Sequence, residues 1–279
     1  MIVAVIGIGL IGGSLALALK NRQMASKIIG VDAEASHCHK ALLLGLVDEV
    51  MELDEAIKHA RLIILAVPVD AVMKLLPSVL DKTDRQLVMD VGSTKQGILD
   101  AVKSHPHRKR FVATHPMWGT EYSGPEAAVH GAFENKATVI CNKEQSDPQA
   151  VQMVEDLYRK LGMHIMYMNG QDHDLHVAYV SHISHITSFA LANTVLEKER
   201  EEDTIFELAS GGFESTVRLA KSNPLTWASI FMQNRENVLD VLNEHISQLR
   251  KFKACLEKEN YEYLEELMVN ANNIKKILK

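Results

Sequence analysis

The 279-residue chain is poor in cysteine and lacks any excess of basic charge. Its three cysteines, Cys38, Cys141 and Cys255, lie far apart and outside any CxxC spacing, so neither a disulfide framework nor a zinc knuckle is expected. Its 30 lysines and arginines are outnumbered by 36 aspartates and glutamates, which gives a formal net charge of −6. Nucleic-acid-binding proteins usually carry the opposite balance, so we expect no nucleic-acid partner.

Long hydrophobic runs are also missing after the first twenty residues, so no later segment is expected to span a bilayer. The first twenty residues are almost wholly apolar, but no basic segment precedes them and they contain four glycines, Gly7, Gly9, Gly12 and Gly13. A strand, a tight turn and a helix would use these glycines better than a signal peptide would. We therefore expect a cytoplasmic protein with reduced cysteines and no membrane partner.

Short β-branched segments alternate with helix-like segments through the first half of the chain. The four clearest strand-like segments are 2–6, 28–32, 62–67 and 87–91. This alternation indicates βαβ units and a parallel sheet. Further strands are expected at 111–114, 137–141 and 164–168, with a helix between the last two.

The pattern changes after about residue 169, where strand-like segments stop. The remaining sequence predicts helices at roughly 172–200, 204–210, 224–253 and 258–278. The fold class expected is therefore α/β, with two domains. Residues 1–168 should form a Rossmann domain with a doubly wound, mainly parallel sheet, and residues 169–279 an all-α domain for substrate binding and dimerisation. The helical half suggests a homodimer.

A glycine-rich pattern, G-x-G-x-x-G, follows the first strand directly and opens the first helix. Its first glycine permits a tight turn, its second lets the backbone approach a pyrophosphate, and its third lets helix and strand pack closely. Backbone N–H groups at the start of the helix then face the anion. We expect a dinucleotide to be contacted here by Gly7, Gly9, Leu10, Ile11 and Gly12.

Asp32 ends the second strand, twenty positions after Gly12. A carboxylate there can accept hydrogen bonds from an adenosine ribose and would repel a 2′-phosphate, so the cofactor predicted is NAD rather than NADP. Val67 and Pro68 follow the third strand at the same edge of the sheet and are expected to contact the cofactor. Ordinary turn chemistry explains these two residues equally well.

Catalytic candidates follow two other strands of the expected sheet. His115 opens a polar loop after the strand at 111–114, and Ser93 lies in the loop after the strand at 87–91. Ligands of open α/β sheets bind at this edge, so His115 is an acid/base candidate. An unperturbed histidine titrates near about 6.5, and activity is expected to fall with pH through that region.

Four segments carry a more specific pattern. Residues 90–95 match D-x-G-S-x-K, residues 115–124 match H-P-[MI]-x-G-x-E-x-x-G, and residues 181–185 match S-H-x-x-H. Residues 217–224 match an arginine-centred motif ending in proline. With these motifs the chain resembles the prephenate and arogenate dehydrogenase family over nearly its whole length. Ser215 and Val217 depart from the aspartate and threonine that this family often has there, which bears on side-chain selectivity.

The resemblance implies NAD-dependent oxidative decarboxylation of prephenate to 4-hydroxyphenylpyruvate in tyrosine biosynthesis, with arogenate as the alternative substrate. It implies that His115 accepts the proton of the ring hydroxyl and that Ser93 hydrogen-bonds the same hydroxyl. It also implies that Arg218 holds a carboxylate, for which a planar guanidinium is well shaped. Further substrate contacts implied are Ser181, His182, His185, Thr120, Glu121 and Trp227.

Other interpretations remain open from the sequence. His182 and His185 are three apart on a helix, with His173 and His176 nearby. No HExxH motif or cysteine completes a zinc site, so no metal is expected, and the pair either contacts substrate or lies in the core. A β-hydroxyacid dehydrogenase or imine reductase would share the architecture, although the former would want a catalytic lysine early in the helical domain. A non-catalytic NAD-sensing protein would keep the glycine turn without the polar cluster.

Overall fold

The computed structural model describes residues 1–200 and 204–277. The chain divides into two compact units, Met1–Asn234 and Arg235–Lys279. The second unit contains the helices α11 (Arg235–Glu257) and α12 (Tyr261–Ala271). The domain boundary between residues 168 and 169 stays a prediction from the sequence.

One eight-stranded sheet organises the first unit, in the order β3-β2-β1-β4-β5-β6-β7-β8. Neighbouring strands are parallel except for β6 and β7, which are antiparallel. The strand order reverses between β1 and β4, which is the switch point of a doubly wound sheet. The predicted Rossmann fold is therefore confirmed. The strands are β1 (Ile2–Ile6), β2 (Lys27–Val31), β3 (Glu49–Val50), β4 (Leu62–Leu65), β5 (Leu87–Asp90), β6 (Phe111–Pro116), β7 (Ala137–Cys141) and β8 (His164–Met168).

Hydrophobic residues fill both faces of this sheet, since every residue of β4 and β5 is buried. Continuous apolar strands of this kind are typical of parallel sheets covered on both sides. One core lies around Leu15 and Tyr158, and the other lies around Leu76 and Phe111. The helices of the first unit are α1 (Leu10–Asn21), α2 (Ala35–Leu43), α3 (Leu53–His59), α4 (Val69–Asp81), α5 (Gln96–Ala101), α6 (Pro148–Lys160), α7 (Gly170–Val177), α8 (Ile183–Glu199), α9 (Gly211–Val217) and α10 (Pro224–Gln233).

Several local features differ from the sequence prediction. The two-residue strand β3 and the short helix α9 were not predicted, because elements this short leave little periodicity. Strand β6 runs two residues further than expected, since His115 and Pro116 pair with β7. The helix predicted over 224–253 is interrupted at Asn234, whose φ of −110° and ψ of 30° lie outside the helical region.

A π-helical turn, Ala178–His182, joins α7 to α8. Residues nine positions apart in a regular α-helix lie on opposite faces, because nine residues make about two and a half turns. A π turn has more residues per turn and so rotates the helix that follows it. This rotation helps to bring His173 on α7 and His182 at the end of the turn to the same side of the helical segment. Across the described residues, no helix is long and apolar enough to cross a bilayer.

Candidate active site

The loop between β1 and α1 has the shape that a dinucleotide requires. Gly7 has a φ of 93°, and a Cβ there would lie 2.6 Å from the backbone oxygen of Ala66. A Cβ on Gly12 would collide with the backbone oxygen of Gly7, whereas a Cβ on Gly9 would meet nothing within 4 Å. The first and third glycines thus allow close packing, and the second faces open space at the start of α1. These residues fit a bound pyrophosphate.

Asp32 lies just after β2 and reaches this loop. Its Oδ2 accepts a hydrogen bond of 2.9 Å from the backbone N–H of Ile8, and its Oδ1 accepts one of 3.0 Å from that of Glu34. The Nδ1 atom of His37 lies 3.3 Å from Oδ1. The carboxylate therefore both closes the glycine loop and provides negative charge beside it.

The other predicted cofactor residues border the same loop. Leu10 and Ile11 are the first two residues of α1 and are partly exposed. Val67 follows β4, and its Cγ1 atom would lie 2.9 Å from a Cβ on Gly7. Pro68 is the residue before α4. The structure thus brings all the predicted cofactor residues to the switch point of the sheet.

His115 and Ser93 lie at the carboxyl edge of two adjacent parallel strands. Asp90 on β5 pairs with Ala113 on β6. Ser93 comes three residues after Asp90, and His115 comes two residues after Ala113. Both residues are partly exposed, so the edge that carries the glycine loop also carries the predicted acid/base residue, His115, and its predicted hydrogen-bonding partner for the substrate hydroxyl, Ser93.

His115 is the first member of a chain of hydrogen bonds that leads to two buried side chains. Its Nδ1 atom lies 2.8 Å from Nε2 of His173, and Nδ1 of His173 lies 2.8 Å from Oδ1 of Asp174. The same carboxylate accepts hydrogen bonds of 2.7 Å from the N–H of Lys95 and 2.9 Å from that of Gln96. We call His115, His173 and Asp174 the His–His–Asp chain. Sequence reasoning did not assign His173 or Asp174 to the site.

A fully buried ion pair lies behind this chain. Lys95 and Asp90 are 0% exposed, and Nζ of Lys95 contacts Oδ2 of Asp90. The ammonium also donates to the backbone oxygen of Thr114 at 2.7 Å, and Asp90 accepts from the N–H groups of Thr114 and Gly92. The pair fixes β5, β6 and the loop that carries Ser93 relative to one another. Lys95 is the last residue of the D-x-G-S-x-K motif, but the motif does not indicate that its side chain is buried.

The two histidines of the S-H-x-x-H motif pack against an aromatic side chain. The rings of His185 and Trp227 stack with centroids 3.3 Å apart and planes at 21°, and His182 meets Trp227 edge-on at 6.0 Å. Nδ1 of His185 lies 3.1 Å from the backbone oxygen of Ser181, and Nδ1 of His182 lies 3.2 Å from the side-chain nitrogen of Asn234. Both rings are therefore held in place within the first unit.

Burial favours the neutral form of the imidazoles in this region. It holds the pKa of His115 well below 6.5, with further lowering by His173, Lys95 and His182. Burial also lowers the pKa of His182 to about 4 and lowers the pKa values of His173 and His185. All four rings are thus neutral at neutral pH and can accept a proton or a hydrogen bond. The expectation that His115 titrates near its ordinary value is wrong, because the ring is not solvated as a free histidine is.

Arg218 meets the polar loop that follows β6. Its Nη1 atom lies 2.7 Å from Oε2 of Glu121, and the arginine side chain is 50% exposed. Within residues 1–200 and 204–277, no other carboxylate pairs with this guanidinium. Its remaining N–H groups are thus open to a bidentate partner. Thr120 is exposed on the same loop, where its Oγ1 accepts a hydrogen bond of 3.3 Å from the N–H of Tyr122.

Two family models match the chain. "Prephenate dehydrogenase, nucleotide-binding domain" matches residues 15–167, and "Prephenate dehydrogenase, dimerization domain" matches residues 169–270. Together they cover most of the chain, including His115, the S-H-x-x-H motif and Arg218.

Individual relatives agree with these models. The prephenate dehydrogenase of Bacillus subtilis (strain 168) is 33% identical over 92% of this chain and 71% of its own length. The structure of the A. aeolicus prephenate dehydrogenase, in complex with hydroxyphenyl propionate and NAD+, is 28% identical, with a TM-score of 0.88 over 100% of this chain and 98% of that one. The Synechocystis arogenate dehydrogenase structure is 27% identical, with a TM-score of 0.75 over 100% of both chains. The chain belongs to the prephenate dehydrogenase family.

Proposed function

We propose that this protein catalyses the NAD-dependent oxidative decarboxylation of prephenate to 4-hydroxyphenylpyruvate. The observation that carries the proposal is the position of His115, a neutral imidazole at the sheet edge that also holds the glycine loop. The B. subtilis and A. aeolicus relatives support prephenate as substrate. Tyrosine biosynthesis is the corresponding pathway.

His115 acts on the hydroxyl group at C4 of the substrate ring. NAD, when bound, supplies an acceptor for the hydride of C4. The hydroxyl proton passes to Nε2 of His115 as the hydride leaves, and the carbonyl that forms draws in the electrons of the breaking bond to carbon dioxide. The ring becomes aromatic, and His115 returns the proton to the phenolate oxygen. A neutral base that holds the proton for a short time suits this sequence.

The other predicted side chains orient the substrate. Arg218 binds a carboxylate through the part of its guanidinium that Glu121 leaves open, and Ser93 hydrogen-bonds the C4 hydroxyl. Thr120 and Glu121 lie on the loop that follows β6. We propose that Ser181, His182, His185 and Trp227 form the side-chain end of the pocket, and the contacts of both histidine rings with Trp227 support this grouping.

The proposed substrate and cofactor are tested by following NADH formation with prephenate or arogenate, each with NAD or NADP. We expect turnover of prephenate with NAD. Efficiency with NAD should exceed that with NADP by about tenfold or more, because Asp32 would repel a 2′-phosphate. Turnover of arogenate but not of prephenate would identify arogenate as the substrate. Inactivity with both substrates would overturn the proposed function. Equal efficiency with the two cofactors would remove the selective role of Asp32.

Replacing Arg218 with alanine should raise the KM for prephenate at least about tenfold, because charged hydrogen bonds are worth about 1.5–3 kcal/mol each. The KM for NAD should be unchanged, since the glycine loop does not involve this residue. Lys221→Ala is a matched control, because this exposed cation lies three residues away and pairs loosely with Glu214 at 3.8 Å. An unaltered KM for prephenate in folded Arg218→Ala would place the carboxylate site elsewhere.

We also propose that the protein is a cytoplasmic homodimer whose residues 1–168 bind the dinucleotide and whose residues 169–279 bind substrate and dimerise. The description of the second family model as a dimerization domain supports the oligomeric part. The free thiols of Cys38, Cys141 and Cys255 are compatible with a reducing compartment.

A further inference from the structure

We propose that His173 and Asp174 are positioning residues that fix the tautomer of His115, placing its ring proton on Nδ1 and leaving Nε2 free to accept a proton. The inference rests on the proposed function, in which His115 is the base. It deepens that function by assigning a task to two buried side chains that make no direct contact with the reacting atoms. The carrying observation is the unbroken His–His–Asp chain, with both of its hydrogen bonds at 2.8 Å.

Asp174 determines which atoms donate and which accept along the His–His–Asp chain. Asp174 is 3% exposed, and its two oxygens accept hydrogen bonds from the backbone N–H groups of Lys95 and Gln96. Both oxygens of this side chain thus act as hydrogen-bond acceptors, as a carboxylate does. Nδ1 of His173 must therefore carry a proton and donate it to Asp174.

The middle ring transmits this direction. His173 is 0% exposed, and its burial lowers its pKa, so the ring is neutral and carries a single N–H. Because that N–H is on Nδ1, the Nε2 atom has only a lone pair and accepts a hydrogen bond. Nδ1 of His115 is the donor that faces it at 2.8 Å. A neutral His115 with its proton on Nδ1 has an unprotonated Nε2.

Burial opposes protonation of both rings. The ammonium of Lys95, which lies near both rings, lowers both pKa values. His182 and His173 lower the pKa of His115 further, whereas Asp174 and Asp90 act in the opposite direction on His173. Burial is the largest effect on each ring, so the neutral, oriented pair persists at neutral pH.

The simpler alternative is that His173 and Asp174 only tie α7 to the start of α5. That role would affect stability but would not determine which nitrogen of His115 carries a proton. Nitrogen-15 NMR of the histidine rings distinguishes the two roles, because the chemical shift reports protonation of each nitrogen. The His115 signals are assigned by their loss in His115→Asn.

The experiment compares the parent protein with His173→Leu, His173→Gln and the control His176→Gln. Leucine removes the acceptor, whereas the side-chain oxygen of glutamine can accept the same proton from His115. His176 is an exposed histidine on the same helix. Spectra are recorded without substrate, so the tautomer is measured whether or not prephenate is the substrate. Steady-state kinetics with prephenate and NAD, and thermal unfolding, are measured alongside.

In the parent protein at neutral pH we expect the His115 proton on Nδ1. In His173→Leu the proton should redistribute to Nε2, and kcat should fall about tenfold or more with little change in KM; an enforced wrong tautomer costs a Ser-His-Asp enzyme about 10⁴-fold. His173→Gln and His176→Gln should keep the parent tautomer and most of kcat. A His115 proton on Nε2 in the parent overturns the proposal even if His173→Leu does not fold. An unchanged tautomer and an unchanged kcat in folded His173→Leu would also overturn the proposal.

Discussion

Replacing His115 with asparagine should lower kcat by about 10²–10⁴-fold, the range typical for loss of a general acid/base group. Asparagine has a similar reach, and its amide nitrogen can still donate to Nε2 of His173, so the surrounding contacts are largely kept. It cannot accept and return a proton. The KM values for prephenate and NAD should change far less than kcat. Turnover within a few-fold of the parent would make His115 a structural residue and His182 or His185 the candidate base.

The pH profile of the parent enzyme provides an independent measurement of the same group. The neutral form of His115 is the active one, so activity is lost as pH falls through the pKa of the folded state. Burial and the neighbouring His173, Lys95 and His182 hold that pKa well below 6.5. The acidic limb of kcat/KM should therefore lie clearly below pH 6.5, and a limb at or above that value would contradict the lowering of the His115 pKa by burial.

Replacing Lys95 with methionine should lower the free energy of unfolding by about 3–5 kcal/mol, because it leaves the carboxylate of Asp90 buried without its partner. Both side chains are 0% exposed, so water cannot replace the ammonium without rearrangement. Urea unfolding measures the loss. The double variant Asp90→Asn/Lys95→Met should recover part of it, since the uncompensated charge is then removed.

Lys58→Met is the matched control for this substitution. Lys58 also pairs with a carboxylate, that of Glu55, but its side chain is 66% exposed. Water and salt screen such a pair, so its removal should leave unfolding almost unaffected. Equal effects of the two substitutions would show that the burial of Lys95 has no energetic consequence.

The sheet and the cofactor loop were predictable because their signals are local. The β-branched segments, the glycine spacing and Asp32 each follow from short-range chemistry, and parallel strands bring their carboxyl ends to one edge whatever the details of packing. The same reasoning predicts that Ser93 and His115 share one edge of the sheet, because they follow strands that are parallel neighbours. The roles proposed for Arg218 and for the S-H-x-x-H motif depend on the resemblance to a known family.

The second layer of the site was not predictable in the same way. Residue type does not distinguish His173 from His176. Only packing in the folded chain buries the first and leaves the second exposed. Helical periodicity gives a partial signal, because Val177 and Ala178 share the buried face with His173. The π turn that follows changes this periodicity, so extrapolation along the helix fails where the site begins.

Asp32 links cofactor choice to backbone architecture. The carboxylate that would exclude a 2′-phosphate also accepts the N–H of Ile8, inside the turn that we propose receives the pyrophosphate. A change of Asp32 that is meant to alter cofactor preference would therefore also alter the conformation of the glycine loop. Redesign toward NADP must keep the backbone of this loop in place as well as remove the negative charge. Asp32→Asn removes the negative charge but keeps an oxygen that can accept the N–H of Ile8, so it separates repulsion of the 2′-phosphate from support of the loop. Asp32→Ala removes both.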